Sequence, residues 1–158
     1  MNTKKAIFIG CGAVTLLGLL AIAGFVMFIA HVAKDVEGVA VTINSPTDVT
    51  VGETFKLEIS VKNERQGEVL QLSEIDIADE YINAFTVISM DPNPKTQIHV
   101  PIDNSRSYTF DRKIPAGKTQ VFTWELRAEK AGIYRGDVDV CEGMRFVTSL
   151  AQTVVKEK

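Results

Sequence analysis

From Ala6 to Ala33 the chain runs 28 residues without a formal charge, AIFIGCGAVTLLGLLAIAGFVMFIAHVA. About 20 apolar residues, rising ~1.5 Å each, span the hydrocarbon core of a bilayer as a helix. A helix that is apolar on every face at this length has no comfortable place in a fold surrounded by water. The run therefore predicts one transmembrane helix over residues 6–33. A cleavable signal peptide would need an apolar region of about 7–15 residues closed by a small-x-small site. Here the run is much longer, and His31 falls within its closing Ala30-His31-Val32-Ala33. A lipoprotein reading fails because most of the apolar run follows Cys11 instead of preceding it. A type IV pilin reading fails for want of a Glu after a Gly-Phe or Gly-Met processing point.

The flanks orient this helix. Lys4, Lys5 and the terminal amine precede it, whereas Lys34 stands beside Asp35 and Glu37 after it. Positive flanks stay inside, so residues 1–5 are expected in the cytoplasm. Residues 34–38 become a short linker, and residues 39–158 a domain on the periplasmic or extracellular side. Gly10, Gly12, Gly18 and Gly24 lie in the helix, but Gly and Ala are common in membrane helices and need no packing role. His31 sits at the outer end, where a polar residue is cheap.

Charge narrows the partners. Of the 17 Lys+Arg and 20 Asp+Glu, only Lys4 and Lys5 precede residue 34, so residues 34–158 carry 15 against 20, a formal −5. That balance excludes the basic footprint nucleic acid demands and disfavours anionic lipid. Cys11 lies in the apolar run and Cys141 near the far end, so the outer domain has no internal disulfide. Asn44-Ser45-Pro46 and Asn104-Ser105-Arg106 both miss the glycosylation pattern. Together these point to a bacterial cell envelope.

Beyond Lys34 the periodicity becomes two. Phe55, Leu57, Ile59 and Val61 alternate with Lys56, Glu58, Ser60 and Lys62, and Phe122, Trp124, Leu126 and Ala128 alternate with polar residues. Such alternation marks strands with one buried face and one wet face. Further strands are expected over 39–43, 69–77, 85–90, 107–112, 134–140 and 146–155. The 69–77 run changes phase between Leu72 and Ile75, which predicts a bulge at Ser73-Glu74. Turn chemistry separates them, at Ser45-Pro46-Thr47-Asp48, Arg65-Gln66-Gly67 and Pro115-Ala116-Gly117. Asp91–Ser105, with three prolines, reads as the longest loop. Seven to eight antiparallel strands with no amphipathic helix between them imply an all-β, immunoglobulin-like sandwich.

The segment Val49-Thr50-Val51-Gly52-Glu53-Thr54-Phe55-Lys56-Leu57, with alternation to Asn63, resembles the opening of bacterial immunoglobulin-like domains, including CARDB-type adhesion-related modules. Ile114-Pro115-Ala116-Gly117-Lys118 and Lys130-Ala131-Gly132-Ile133-Tyr134 are similar to their later half. The resemblance covers about residues 38–141 and is looser over Asp79–Ser105. It implies a sandwich fold and no particular activity. The chain departs from antibody-type members in lacking Cys…Trp…Cys, and from adhesins in carrying one copy instead of an array.

Candidate chemistry is sparse. His99, Cys141 and Met144 faintly resemble a cupredoxin, but blue copper needs two His, and the only other histidine is His31 in the apolar run. Counted by twos, Cys141 shares a face with Arg135, Asp137 and Asp139. A regular strand would expose the thiol to pairing between chains, whereas a twist at the strand end would bury it. Glu74, Asp76, Asp79 and Glu80, and again Asp137 and Asp139, lack a calcium-loop pattern and read as solvated faces. Paired carboxylates could do glycosidase work, but no cleft motif accompanies them. No residue is assigned a catalytic, cofactor-binding or metal-binding role. The expectation is a noncatalytic, single-pass envelope protein whose sandwich meets a protein or glycan. A cupredoxin-like metal or redox protein with an incomplete copper site is the alternative.

Overall fold

The computed structural model describes residues 20–25, 27 and 36–158. Residues 20–25 and 27 are helical. The transmembrane helix expected over 6–33 otherwise lies outside the described residues, and among those described no helix is long and apolar enough to cross a membrane. The chain divides into two units, Met1–Lys34 and Asp35–Lys158; the second is the β domain.

That domain is a sandwich of ten strands in two sheets. In chain order they are β1 (Val39–Asn44), β2 (Asp48–Thr50), β3 (Thr54–Asn63), β4 (Leu70–Ala78), a one-turn helix α1 (Asp79–Ile82), β5 (Phe85–Asp91), β6 (Thr96–Val100), β7 (Ser105–Ile114), β8 (Thr119–Ala128), β9 (Gly132–Glu142) and β10 (Arg145–Lys156). One sheet has four strands in the order β1-β3-β8-β5, and the other six in the order β2-β10-β9-β4-β7-β6.

The two strongest alternations become the centre of the four-stranded sheet. β3 and β8 pair antiparallel with Leu57 opposite Trp124 and Ile59 opposite Phe122, and all four side chains are fully buried. Ile75, Ile77, Tyr108, Phe110, Val138 and Val140 meet them from the six-stranded sheet. Each such burial stabilises the fold by about 1.5–3 kcal/mol relative to exposure. Tyr108 and Phe110 meet the Trp124 ring edge-on at centroid distances of 5.3 and 6.0 Å, an arrangement the ring quadrupoles favour.

A bulge stands at the expected place. The β4–β7 register shifts between Leu72 and Glu74, where two steps on β4 meet three on β7 from Arg112 to Thr109, so the extra residue lies on β7 and Ser73 stands opposite Phe110 and Asp111. The Ser73 hydroxyl donates to the Cys141 carbonyl (3.1 Å) and accepts from the Gly143 amide (3.2 Å), replacing ladder bonds that the bulge removes. Gly117, in the Pro-Ala-Gly turn, has φ +71°, a conformation that costs a side-chain-bearing residue energy.

Three expectations are corrected. The sandwich has ten strands instead of seven or eight, because β2 and β6 are too short or too exposed to show alternation. The pairing is not wholly antiparallel: β2 runs parallel to β10, with Val49 opposite Val155, since Ser45–Thr47 carries the chain from one sheet to the other. The stretch Asp91–Ser105 is no single loop, for β6 occupies its middle and pairs with β7 from Thr96↔Thr109 to Val100↔Ser105. Beyond these, the single helical turn α1, which the sequence reading did not include, follows β4 and turns Tyr81 and Ile82 into the core. Four residues cannot display a helical period.

The domain's near end is tied down. Val36 is buried in the core cluster, and the Gly38 carbonyl accepts from the Glu64 amide at 2.8 Å. Arg65 donates to the Glu37 carbonyl (3.0 Å) and bidentately to Glu142 (3.1 and 2.6 Å).

Candidate functional site

Strands β4 and β9 are neighbours, and their register brings together two acidic groups separated by some sixty residues of chain. Asp76 lies opposite Asp139 and Glu74 opposite Cys141. On the far side of β4, Asp76 faces Ser107 and Glu74 faces Thr109; on the far side of β9, Asp139 faces Thr148 and Cys141 faces Phe146. These residues share the outer surface of the six-stranded sheet, since Ile75, Ile77, Val138 and Val140 take the core side. The 101–104 turn rims this surface. It is held there by the Asp79 amide, which donates to the Asn104 carbonyl at 2.8 Å, and it brings Asp103 to the edge.

Two adjoining cavities of about 320 and 340 Å³ open here. They share Asp76, Asp103, Ser105 and Asp139, so they form one trough. Asp137 and Glu80 line one end, Cys141, Met144 and Phe146 the other.

The electrostatics are strained. Burial pushes the Asp76 carboxyl above the usual carboxylate range; Glu74 and Asp139 add repulsion, partly offset by the Ser107 hydroxyl. That hydroxyl donates to Glu74 Oε2 at 3.2 Å and lies near enough to Asp76 to favour its ionised form as well. Asp139 is likewise raised, first by burial and then by Asp137 and Asp103, although Thr148 Oγ1 donates to its Oδ1 at 2.6 Å. Asp76 Oδ1 is buried with no hydrogen-bond partner among the described residues.

Cys141 settles between its two expectations. The strand stays regular, as counting by twos requires, yet the thiol is only 6% exposed because neighbours on the outer face enclose it. Sγ lies 3.8 Å from Asp76 Oδ2 and from the Asp139 carbonyl. Burial, then the charges of Asp76, Glu74 and Asp139, push its pKa well up, so it stays a thiol, the unreactive form.

The ligand atoms of Glu74, Asp76 and Cys141 lie within 4.8 Å of one another, the one such convergence among the described residues. As a metal set it is mismatched. Hard cations leave the sulfur unused, and thiophilic ones must first displace a proton that the surroundings hold. His99 does not join it: its Nδ1 sits 3.0 Å from Asp79 Oδ2, and Met144 is exposed in the β9–β10 turn. His99, Cys141 and Met144 are therefore not assembled into a copper site. Sequence reasoning missed the merged acidic face because β4 and β9 are distant in the chain; only their matching alternation hinted at pairing.

Residues 42–135 match the family model described as BatD DUF11 like domain. Among solved structures, the CARDB domain of a Pyrococcus furiosus protein, crystallised with di-metal ions, is similar at 16% identity. Its TM-score is 0.50, over 78% of this chain and 93% of that one. A cohesin module from a Clostridium perfringens family 33 glycoside hydrolase is similar at 14% identity. Its TM-score is 0.52, over 76% of this chain and 98% of that one. At such identities the likeness is one of fold. No curated protein matches the chain.

Proposed function

Because the chain belongs to the BatD DUF11-like domain family, we propose that it is a noncatalytic, membrane-anchored protein of the bacterial envelope whose β-sandwich binds another protein. The observation that carries the anchoring is the 28-residue uncharged run Ala6–Ala33, behind Lys4 and Lys5. That run and its positive flank support an N-terminus in the cytoplasm and a sandwich in the periplasm or outside the cell. Val36 already belongs to the sandwich core, so few residues separate the anchor from the folded domain. A leash that short holds the sandwich near the bilayer and favours partners in the same membrane.

The chemistry of the trough supports binding over catalysis. Its thiol is held protonated, and its carboxylates stand beside hydroxyls and one another without a histidine. The copper-type alternative is separated by elemental analysis of the purified chain: stoichiometric copper would revive it. The anchoring is tested by alkaline extraction of membranes and N-terminal sequencing of the mature chain. The expected result is a membrane-retained chain that still carries residues 6–33. A mature chain beginning after Ala33, or one recovered in the soluble fraction without detergent, would overturn the proposal.

A further inference from the structure

The outer faces of the two sheets differ in kind. On the four-stranded sheet, β3 and β8 present Lys56, Lys62 and Arg127 against Glu58 and Glu125, with Thr, Ser and one exposed apolar side chain, Val121, between them. Mixed charge of this sort is an ordinary solvated surface. On the six-stranded sheet the centre is acidic, with Glu74 and Asp76 on β4 and Asp137 and Asp139 on β9. Asp103 and Glu80 stand at the rim. Arg135, opposite Gln152, is the cation beside them on β9, and Lys156 lies at the far end, paired to Asp48 at 3.1 Å.

Large apolar side chains flank that acidic centre. Phe146 and Leu150 stand on β10, 44% and 57% exposed, and Ile98 lies beyond the acids on β6, 57% exposed. Cross-strand register puts them in the same rows: Phe146–Cys141–Glu74, Thr148–Asp139–Asp76–Ser107–Ile98 and Leu150–Asp137. Exposed apolar side chains grouped around a trough mark an interaction surface more than an accident of composition.

We propose that the outer face of the six-stranded sheet is a docking surface for a segment of a partner protein in which Lys or Arg is flanked by apolar side chains. Charge selects this occupant. A second copy docking face to face would set acids against acids, and anionic lipid or nucleic acid would be repelled in the same way. Directly opposite residues on neighbouring strands lie about 4.5–5.5 Å apart, so one ammonium or guanidinium seated over the β4–β9 seam reaches Asp76 and Asp139 together. It also offsets the repulsion that, after burial, helps to lift both carboxyls. Phe146 and Leu150 on one flank and Ile98 on the other take the apolar neighbours. This inference rests on the interaction role proposed above and names its surface and partner chemistry.

The first test uses the full-length chain in zwitterionic nanodiscs and a labelled 13-residue peptide alternating Lys with Leu and Phe, with its Glu-for-Lys counterpart as reference. The expected result is saturable binding of the Lys peptide and none of the Glu peptide. Asp76→Asn with Asp139→Asn, and separately Phe146→Ser with Leu150→Ser, should each weaken Kd tenfold or more. Glu58→Gln with Glu125→Gln on the other sheet should change it less than twofold. Equal losses from both sheets, or full binding by the Phe146/Leu150 variant, would reduce the effect to unspecific charge attraction and overturn the proposal. Saturable calcium binding that depends on Asp76 and Asp139, with peptide binding indifferent to them, would overturn it in favour of a cation site. A second test places a photo-cross-linking residue at position 148 or position 56 of the chain in its native envelope. Protein adducts at 148 that map to basic, apolar-flanked segments support the surface. Adducts at 56 alone sink this inference while leaving the broader interaction role standing, and adducts at neither position sink both.

Discussion

Asn63 ends β3 fully buried, and its amide ties three pieces of backbone together. Nδ2 donates to the Glu68 carbonyl (2.7 Å) and the Ile114 carbonyl (2.8 Å), while Oδ1 accepts from the Arg65 amide (3.1 Å). Aspartate has the same shape but, once ionised, no donor. Asn63→Asp therefore aims a buried charge at two carbonyl oxygens. Losing a partner for a buried polar group costs about 1–3 kcal/mol. Protonated, the new carboxyl restores one of the two bonds, so the loss at pH 4 is on the order of 2 kcal/mol. Desolvation and the facing carbonyls raise its folded pKa above the unfolded ~3.9. A raised folded pKa means that stability is fullest below ~3.9 and falls as pH rises toward the folded value, at about 1.4 kcal/mol per unit. The loss at pH 7 is then expected to be on the order of 4 kcal/mol or more. Urea unfolding of the full chain in detergent micelles measures this directly, because the single tryptophan, Trp124, is fully buried and reports the core. Asn63→Ala loses all three bonds with no new charge, so its loss should not vary with pH relative to the parent. An Asn63→Asp chain within about 0.5 kcal/mol of the parent at pH 7, or one equally destabilised at pH 4 and pH 7, would refute the reasoning.

Three further outcomes follow from the same structure. The hydrogen bond from Arg65, ahead of the Gln71 amide and the Arg145 charge, holds Glu142 below the usual carboxylate range. Its contribution is present above the unfolded ~4.3 and lost as pH falls through the folded value. Glu142→Gln should cost on the order of 3 kcal/mol at pH 7 and flatten the acid limb of the urea midpoint below about pH 4.3. Asp139→Asn removes a carboxylate whose folded pKa is raised. It should therefore stabilise the domain at pH 7 by a few tenths to about 1 kcal/mol, with the gain fading toward pH 4 in the same titration. Cys141, in a Cys11→Ser background, should alkylate at pH 8 at least tenfold more slowly than a free thiol, as followed by mass spectrometry. A rate equal to that of the free thiol would contradict its enclosure.

Where the sequence alternates over eight or more residues, as in β3 and β8, the strands appear with the predicted faces, because burial of Leu57, Ile59, Trp124 and Leu126 leaves no other phase. The place of the bulge was equally legible, because two apolar runs out of phase on one strand can face one core only across an irregularity; that its extra residue sits on β7, beside Asp111 at φ +48°, was not. β6 was not legible. Its residues are exposed almost throughout, so its pairing with β7 leaves no apolar signature. The trough was half legible. Each acidic group was visible as a wet strand face, but their union depends on β9 lying beside β4, a non-local choice that neither segment encodes alone. The enclosure of Cys141 depends on the same union, which is why counting by twos found its face and missed its burial.

The parallel seam between β2 and β10 bears on how the domain is made. β10 lies between β2 and β9, with Val154 beside Asp48 on one side and Ile133 on the other, and it buries Ala151, Thr153 and Val155. Everything up to Glu142 can therefore leave the ribosome while the six-stranded sheet still has a gap, with β9 showing a bare edge along its length. Bare edges of that kind recruit other strands. A message truncated before Arg145 would yield a chain lacking the closing strand, and quality-control proteases are expected to meet it as an aggregate-prone remnant, not as a smaller working domain.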